Sequence, residues 1–339
     1  MNMLFRAVKE TDLKAIYSLA LGSGIGITTL PKNKSTLELR LTKALQSFSK
    51  TVKQPHNEYY LFVLEDLDKN QIVGTAAIES LTGQETPFYS YRHIKETKSH
   101  EALGISVVHE YLSLTYDNQY KTEVCTLYLA PDYRHSGNGL LLSLARFLFM
   151  HHFPERFADT IIAELRGVTQ SGQSPFWDAV GQHFFNMPFS DADERTITTD
   201  KHFIADLIPI HPIYINLLPS CAQEVIGVAD PLSLPAMNIL MQQGFIPNDT
   251  VDIFDAGPTL EATRNNIRTI QNAQQFTINI TQNHIHPTQR VLLSNSSLAF
   301  KATLSTASLD LINQVCSIAD ATAHTLNLKN GDLATISKI

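Results

Sequence analysis

The sequence predicts an α+β protein: a mixed sheet with helices on both faces, followed by a small β-rich part. Three observations carry this. Residues 123–150 read as an apolar strand (124–129), a short turn with Arg134, Gly137 and Gly139, and a helix with Leu140, Leu141, Leu144, Phe147 and Leu148. The elements around it follow the order β, α, α, β, β, β, α, β, α. From residue 266 onward the chain gains Gln, Asn, Thr and Ser, loses aromatics, and shows short strand-like runs.

The elements are justified in order. Residues 3–8 form a first strand. Glu10-Thr11-Asp12 opens a helix with Leu13, Ile16, Leu19 and Ala20 on one face. After a glycine-rich connection over 22–31, Ser35 is expected to cap a second helix bearing Leu37, Leu41 and Leu45. Strands over 59–67 and 72–79 flank Asp68-Lys69-Asn70, a hairpin signal. The aromatic segment 87–92 precedes a further β-like run. A strand over 160–165 leads to turn residues 167–173, and Ser174-Pro175 starts a helix through Trp177, Val180 and Phe184.

A second, weaker echo follows. Residues 203–207 read as β and 219–226 as helix. Pro235 opens a helix that ends at Gly244-Phe245 before a strand. This end resembles 177–185, so two units of one fold in tandem are expected: 1–190 and 191–265. A small β-rich subdomain spans 266–339, where 276–281, 291–294 and 298–304 read as strands. Another strand over 333–336 follows the turn Asn330-Gly331.

With 339 residues, 43% of them hydrophobic and 17% charged, the chain supports a large core. A net charge of −7 argues against a general nucleic-acid or anionic-membrane binder. Cys125, Cys221 and Cys316 are widely spaced and form no Cys-x-x-Cys motif; Cys125, inside an apolar strand, reads as a buried structural thiol. No run approaches the ~20 apolar residues of a membrane helix. No signal peptide is visible, so the cytoplasm is the expected location. His151-His152 and His284-x-His286 lack companion ligands at a useful spacing, and no metal is expected.

The turn after the 124–129 strand carries the chemistry. A helix start offers unpaired N–H groups and a positive dipole end, which suit phosphate. Gly137 and Gly139 remove side chains that would block it, and Arg134 and His135 add charge. Strand, Arg-x-x-Gly-x-Gly, helix resembles the coenzyme A pyrophosphate loop of the GCN5-related N-acyltransferases. It lacks the Gly-Lys-Ser/Thr of a P-loop.

Ordered segments narrow the resemblance. Gly26-Ile27-Thr28-Thr29-Leu30-Pro31, Pro87-Phe88-Tyr89-Ser90-Tyr91-Arg92, Cys125-Thr126-Leu127-Tyr128-Leu129, Gly137-Asn138-Gly139, Ala163-Glu164-Leu165-Arg166-Gly167, His211-Pro212-Ile213-Tyr214 and Asp252-Ile253-Phe254-Asp255-Ala256-Gly257 follow one another. Over roughly residues 3–262 the chain resembles the arginine N-succinyltransferase family, which acts in the first step of bacterial arginine degradation through succinylated intermediates. The resemblance implies succinyl transfer from succinyl-CoA to the α-amine of L-arginine. It also implies an assembly, either a homo-oligomer or a hetero-oligomer with a paralogous subunit. Ornithine or another amino acid as acceptor, and a non-catalytic or weakly active subunit, are the alternatives.

The resemblance places the succinyl-CoA contact at Leu127. Leu129, Arg134, His135, Gly137, Asn138 and Gly139 complete the expected cofactor site. The family's proton-donor histidine aligns with Asp230, just before Pro231. An ionised aspartate cannot donate a proton; it can accept one, hold a cation, or brace a turn. His211 is the nearest alternative histidine. Glu164, Asp252 and Asp255 are candidates for the substrate guanidinium, and Arg92 and Arg166 for the succinyl carboxylate. Glu164 and Arg166, two apart, are expected on one strand face, where a salt bridge competes with a substrate role. The aromatics Phe88, Tyr89, Tyr91 and Trp177 read first as core.

Overall fold

The computed structural model describes residues 2–23, 29–198, 202–281 and 288–339. Gly26-Ile27-Thr28, His284 and His286 lie outside the described residues. The strands are β1 (Met3–Ala7), β2 (Tyr59–Asp66), β3 (Gln71–Glu79), β4 (Ser90–His100), β5 (Ile105–Thr115), β6 (Thr122–Leu129), β7 (Thr160–Glu164) and β8 (Ile213–Tyr214). They continue with β9 (Ile246–Val251), β10 (Pro258–Thr263), β11 (Gln274–Thr281), β12 (Gln289–Ser294), β13 (Lys301–Asp310), β14 (Val315–Ala319) and β15 (Leu333–Lys338). Three helices matter most: α1 (Leu13–Gly22), α2 (Lys34–Ser49) and α3 (Asn138–His152).

The described strands join one mixed sheet in the order β12-β15-β11-β14-β13-β1-β2-β3-β6-β7-β10-β9-β4-β5-β8. Helices α1 and α2 cover one face of its centre through Ile16, Ala20, Leu37 and Leu41. These pack with Leu61, Val63, Ala77 and Cys125. Helix α3 covers the other face. From Leu141 to Met150 every residue of α3 is buried, because the C-terminal part closes over its outer side. A helix apolar nearly all round has to be enclosed in this way.

The C-terminal β-rich part is a closed barrel. β13 pairs with β12, β12 with β15, β15 with β11, β11 with β14, and β14 with β13. Closure leaves no open edge within it. Phe276, Ile278, Val291, Leu293, Cys316, Ile318 and Ile336 form its buried cluster. Hydrogen bonding crosses both expected boundaries: β10 pairs with β7 from Thr259↔Glu164 to Thr263↔Thr160, and β1 pairs with β13.

Several local expectations are corrected. The cap of α2 is Asn33, whose Oδ1 accepts from Thr36 N–H (3.1 Å); Ser35 lies in the first turn and donates to that same oxygen. Asn33 has the extended backbone a cap requires. Residues 203–207 belong to a helix, His202–Leu207, because Ile204 and Ile208 turn to one buried face. The helix through Trp177 breaks at Val180 into Pro175–Ala179 and Gly181–Phe185; a Cβ on Gly181 would meet the Trp177 indole. Only Ser220–Gln223 is helical in the 219–226 stretch. Strand β14 and the helix Asp320–Leu326 carried no sequence signal we read.

Phe300, which leads into β13, is fully buried against Phe5, Phe62 and Phe149. It fastens the barrel to the central core. Phe300→Ala is expected to cost about 3–5 kcal/mol of stability, read as a lower denaturant midpoint. An unchanged midpoint would show that the barrel docks without it.

Candidate active site

Strand β6 starts between two neighbours and ends with one. It is hydrogen-bonded to β3 from Glu123 to Leu129, but to β7 only at Thr122↔Ile161 and Glu123↔Ile162. β7 then follows β10 instead. From Val124 onward the two central strands diverge, and β6 backbone groups on that side lose their strand partner. Such groups need partners from elsewhere. A cleft of about 1030 Å³ opens there, lined by residues 123–129 of β6 and by 163–166, the end of β7 and the two residues after it.

A β-bulge sits at this divergence. Cys125 faces Ala77 and Tyr128 faces Thr75, so Thr126 and Leu127 together oppose Ala76. Thr126 has φ of +55°, a region costly for a β-branched residue, by about 1–3 kcal/mol. Its surroundings over-determine it. Thr126 N–H donates to Thr29 Oγ1 (3.1 Å), its hydroxyl bonds Tyr59 OH (2.9 Å), and its carbonyl accepts from Thr75 Oγ1 (3.0 Å). The bulge takes Leu127 out of the regular ladder, and Leu127 and Leu129 both line the cleft.

The glycine turn closes the upper end. Gly137 is the N-cap of α3, with φ of +85°, and no side chain caps this helix. The N–H groups of Gly139 and Leu140, behind the Asn138 N–H that His135 O takes, are therefore available to an anion. A Cβ at Gly139 would meet nothing within 4 Å, so the cleft stays open there. A Cβ at Gly137 would strike Arg290. Arg134 Nε donates to Leu129 O (3.0 Å), which ties strand to turn, and His135 is exposed beside it. Asn138 is corrected from ligand to brace: it is buried, its Nδ2 donates to Tyr133 O (3.0 Å), and its N–H is taken by His135 O (3.1 Å).

Arg290 is a loop cation that sequence reasoning missed. It comes from β12 and donates to Ser136 O (3.2 Å). Arg40 and Lys43, on α2, line the cleft itself. No local motif marks these positions. Two further acids were missed. Glu79 on β3 and Glu123 on β6 stand directly opposite each other and both line the cleft. Like charges in register repel, and a cation between them would relieve that. The signal is the register of β3 against β6, a pairing across the intervening β4 and β5.

The expected substrate residues divide. Glu164, Arg166, Asp252 and Asp255 line the cleft. Arg166 donates to Thr169 Oγ1 (2.6 Å) and lies beyond the end of β7, so the shared strand face expected for it and Glu164 stops at Glu164. Asp252 Oδ1 accepts from Phe254 and Asp255 N–H groups (2.7 and 2.9 Å). Arg92 is corrected: it is exposed on the outer hairpin and paired with Asp117, outside the cleft. His211 is corrected as well. It is exposed and outside the cleft, because Pro212 leads into β8 at the far edge of the sheet. Asp230 is buried; its Oδ1 accepts from Leu232 N–H (2.9 Å) in an Asx turn, and its N–H donates to Arg166 O (2.9 Å). The residues after it, Pro231 to Ser233, line the cleft. Among the aromatics, Phe88 and Tyr89 reach the cleft, while Tyr91 and Trp177 are core.

Cys125 is buried, and burial raises its thiol well above the ordinary value, which marks it as structural. Burial lowers His152 to about 4, so it is neutral near pH 7. Among the described residues no group of three His, Cys, Asp or Glu could hold a metal ion.

Asp255 locks the floor. Its carboxylate accepts from Gly167 N–H and Gly257 N–H, both at 2.8 Å. Gly257 crosses the 165–167 backbone so closely that a Cβ would strike Leu165 O. Burial, with Asp252 close by, raises Asp255 to about 8 against the pull of those N–H groups and Arg166. The folded value exceeds the ordinary 3.8, so the folded chain retains a proton that the unfolded chain releases. This contribution to stability is full below about pH 4 and is lost as pH rises through about 8. Urea midpoints from about pH 5 to about pH 9 are expected to fall, and less steeply in Asp255→Asn. Equal slopes in both proteins would rule the assignment out.

The family described as "Arginine N-succinyltransferase beta subunit" matches residues 3–269. The arginine N-succinyltransferase of Photorhabdus laumondii is 43% identical over 277 residues, covering 81% of this chain and 80% of that protein. The arginine N-succinyltransferase of Enterobacter sp. strain 638 is 42% identical over 278 residues, covering 81% and 80%. The solved structure of arginine/ornithine succinyltransferase subunit AI from Pseudomonas aeruginosa matches with a TM-score of 0.89 at 30% identity. That match covers 99% of this chain and 98% of the other.

Proposed function

The chain belongs to the arginine N-succinyltransferase family, and from that premise we propose how its cleft moves a succinyl group from succinyl-CoA to the α-amine of L-arginine. The observation that carries the reading is the divergence of β6 from β7 at a bulge, directly below an uncapped helix N-terminus. The extended, amide-bearing arm of an acyl-CoA fits that opening as a substitute strand, with its amides meeting the backbone groups of β6. Its phosphates then reach the first turn of α3, with Arg134, His135 and Arg290 around it.

The thioester comes to rest beside Leu127, whose backbone N–H polarises the carbonyl as charge develops on its oxygen. The acceptor enters from the α1–α2 side, where Glu79 and Glu123 offer two carboxylates to its cation. The amine must first lose its ammonium proton. Its nitrogen lone pair then forms the C–N bond, the C–S bond breaks, and CoA leaves as a thiolate. The proton shed by the new amide nitrogen goes to a carboxylate or to solvent. A thiolate leaves without an acid, so this route does not require a histidine at position 230. Asp230 acts as a turn brace that carries Pro231 to Ser233 to the cleft wall.

Assembly and location belong to the same proposal. Ile105, Val107, Tyr214 and Leu217 are exposed along the outer hairpin and β8, which supports a chain-to-chain contact. No helix among the described residues is long and apolar enough to cross a membrane, and we place the reaction in the cytoplasm.

Thiol release from succinyl-CoA by the purified chain tests the reading, with L-arginine and L-ornithine as acceptors. Release that depends on arginine is expected. Absence of release with either acceptor would sink it. Asp230→Asn preserves the turn and is expected to keep kcat/KM within about threefold. A loss on the order of a hundredfold would make Asp230 a proton carrier instead.

A further inference from the structure

Arg146 is the least explained charge in the molecule. It lies on α3, is 1% exposed, and lines the cleft. Its Nε donates to Ser143 O (3.2 Å), its Nη2 to Ser143 Oγ (3.2 Å) and its Nη1 to Cys125 O (3.5 Å). These contacts are long, none of the acceptors is charged, and they use three of the five N–H groups of a guanidinium. Among the described residues no carboxylate pairs with it. An isolated buried cation is strongly unfavourable, and a chain that keeps one has a use for it. Arg6, buried, and Lys121, half-buried, both have acidic partners, so this chain pairs such cations elsewhere.

The position of Arg146 suggests the use. Helix α3 leaves the glycine turn and runs back beneath β6. From Gly139 to Arg146 is seven residues, about 10 Å along the axis. From Leu129 back to Cys125 is four residues, about 13 Å of strand. The two paths meet where Arg146 donates to Cys125 O. An acyl-CoA with its phosphates at the turn and its thioester at Leu127 sends its acyl chain onward to this level. There β6 and β7 are parting, with Ala163 on the far wall.

We propose that Arg146 is the subsite for the free carboxylate of the acyl donor, and so selects a dicarboxylic acyl group over a neutral one. This rests on the reading of the cleft as an acyl-CoA site. The unused guanidinium N–H groups offer the donors a carboxylate accepts. Before the donor binds, Cys125 O and Ser143 hold the side chain in place. The bound carboxylate then supplies the missing negative charge. Burial lowers the pKa of Arg146 to about 10, which leaves it charged at neutral pH. Arg166 remains on the opposite wall, turned toward Thr169.

The test compares succinyl-CoA with butyryl-CoA, a neutral donor of the same acyl length, in transfer and in calorimetric binding. The unaltered chain is expected to prefer succinyl-CoA. Arg146→Gln is expected to lose that preference on the order of a hundredfold, while butyryl-CoA changes less than about threefold. Arg146→Lys is expected to retain part of the preference. Equal losses with both donors would overturn the proposal, since a merely structural arginine would show that pattern. Should the unaltered chain transfer nothing yet bind succinyl-CoA more tightly than butyryl-CoA, and Arg146→Gln erase the difference, the transferase reading fails and the subsite stands. Should both variants fail to fold, a crystal structure of the unaltered chain with a non-transferable thioether analogue of succinyl-CoA decides. The carboxylate within hydrogen-bond distance of Arg146 supports the assignment, and the carboxylate elsewhere overturns it.

Discussion

The parting of β6 from β7 is the constraint on which the rest depends. A continuous sheet satisfies its backbone groups by neighbouring strands. Here one central strand gives up its partner after Glu123 while β7 continues along β10. The opening persists because the bulge is held by side chains from three other segments, Thr29, Tyr59 and Thr75. Thr126 sits where a β-branched residue rarely sits, and packing keeps it there. Backbone strain at a site is informative when the surroundings enforce it.

Helix α3 joins the two ends of this opening. Its N-terminus, uncapped and led by Gly137, faces one end. Two turns further on, Arg146 faces the other. Its apolar surface is enclosed by the sheet on one side and by the barrel, through Phe300 and β12, on the other. The barrel therefore contributes more than bulk. It presses the helix onto the sheet, and Arg290 reaches from it to the turn that begins the helix. The cleft carries both signs of charge. Arg134 and His135 lie at the glycine turn, and Glu79, Glu123, Glu164 and Asp252 share the rest with Arg40, Arg146 and Arg166. Such a distribution suits a donor carrying phosphates and an acceptor carrying positive charge.

Asp230 shows how local geometry limits chemical roles. An aspartate before proline forms an Asx turn readily, and this one does. The proposed route relies on backbone polarisation and on the intrinsic ease with which a thiolate leaves.

The sequence alone determined the strand, turn and helix around Gly137, the two N-terminal helices, the first hairpin, and the family. Each is written in short-range features: apolar period, glycine at a turn, and ordered motifs. Of the site residues it singled out, Leu127, Leu129, Arg134, Glu164, Arg166, Asp252 and Asp255 line the cleft. The tertiary structure decided what short-range patterns cannot encode. The closed barrel depends on β11 finding β14 and β15, which are distant in sequence. Arg92 and His211 occupy well-matched segments, yet the fold leaves Arg92 exposed on β4 and carries His211 to the start of β8, the last strand of the sheet, both outside the cleft. Glu79 faces Glu123 through strand register, and Arg290 reaches Ser136 across more than a hundred residues. Arg146 reads in sequence as one polar position on a buried helix, and what distinguishes it is burial with no carboxylate partner among the described residues. Burial and charge pairing are sums over contacts from the whole chain, so they become visible only when the chain is folded.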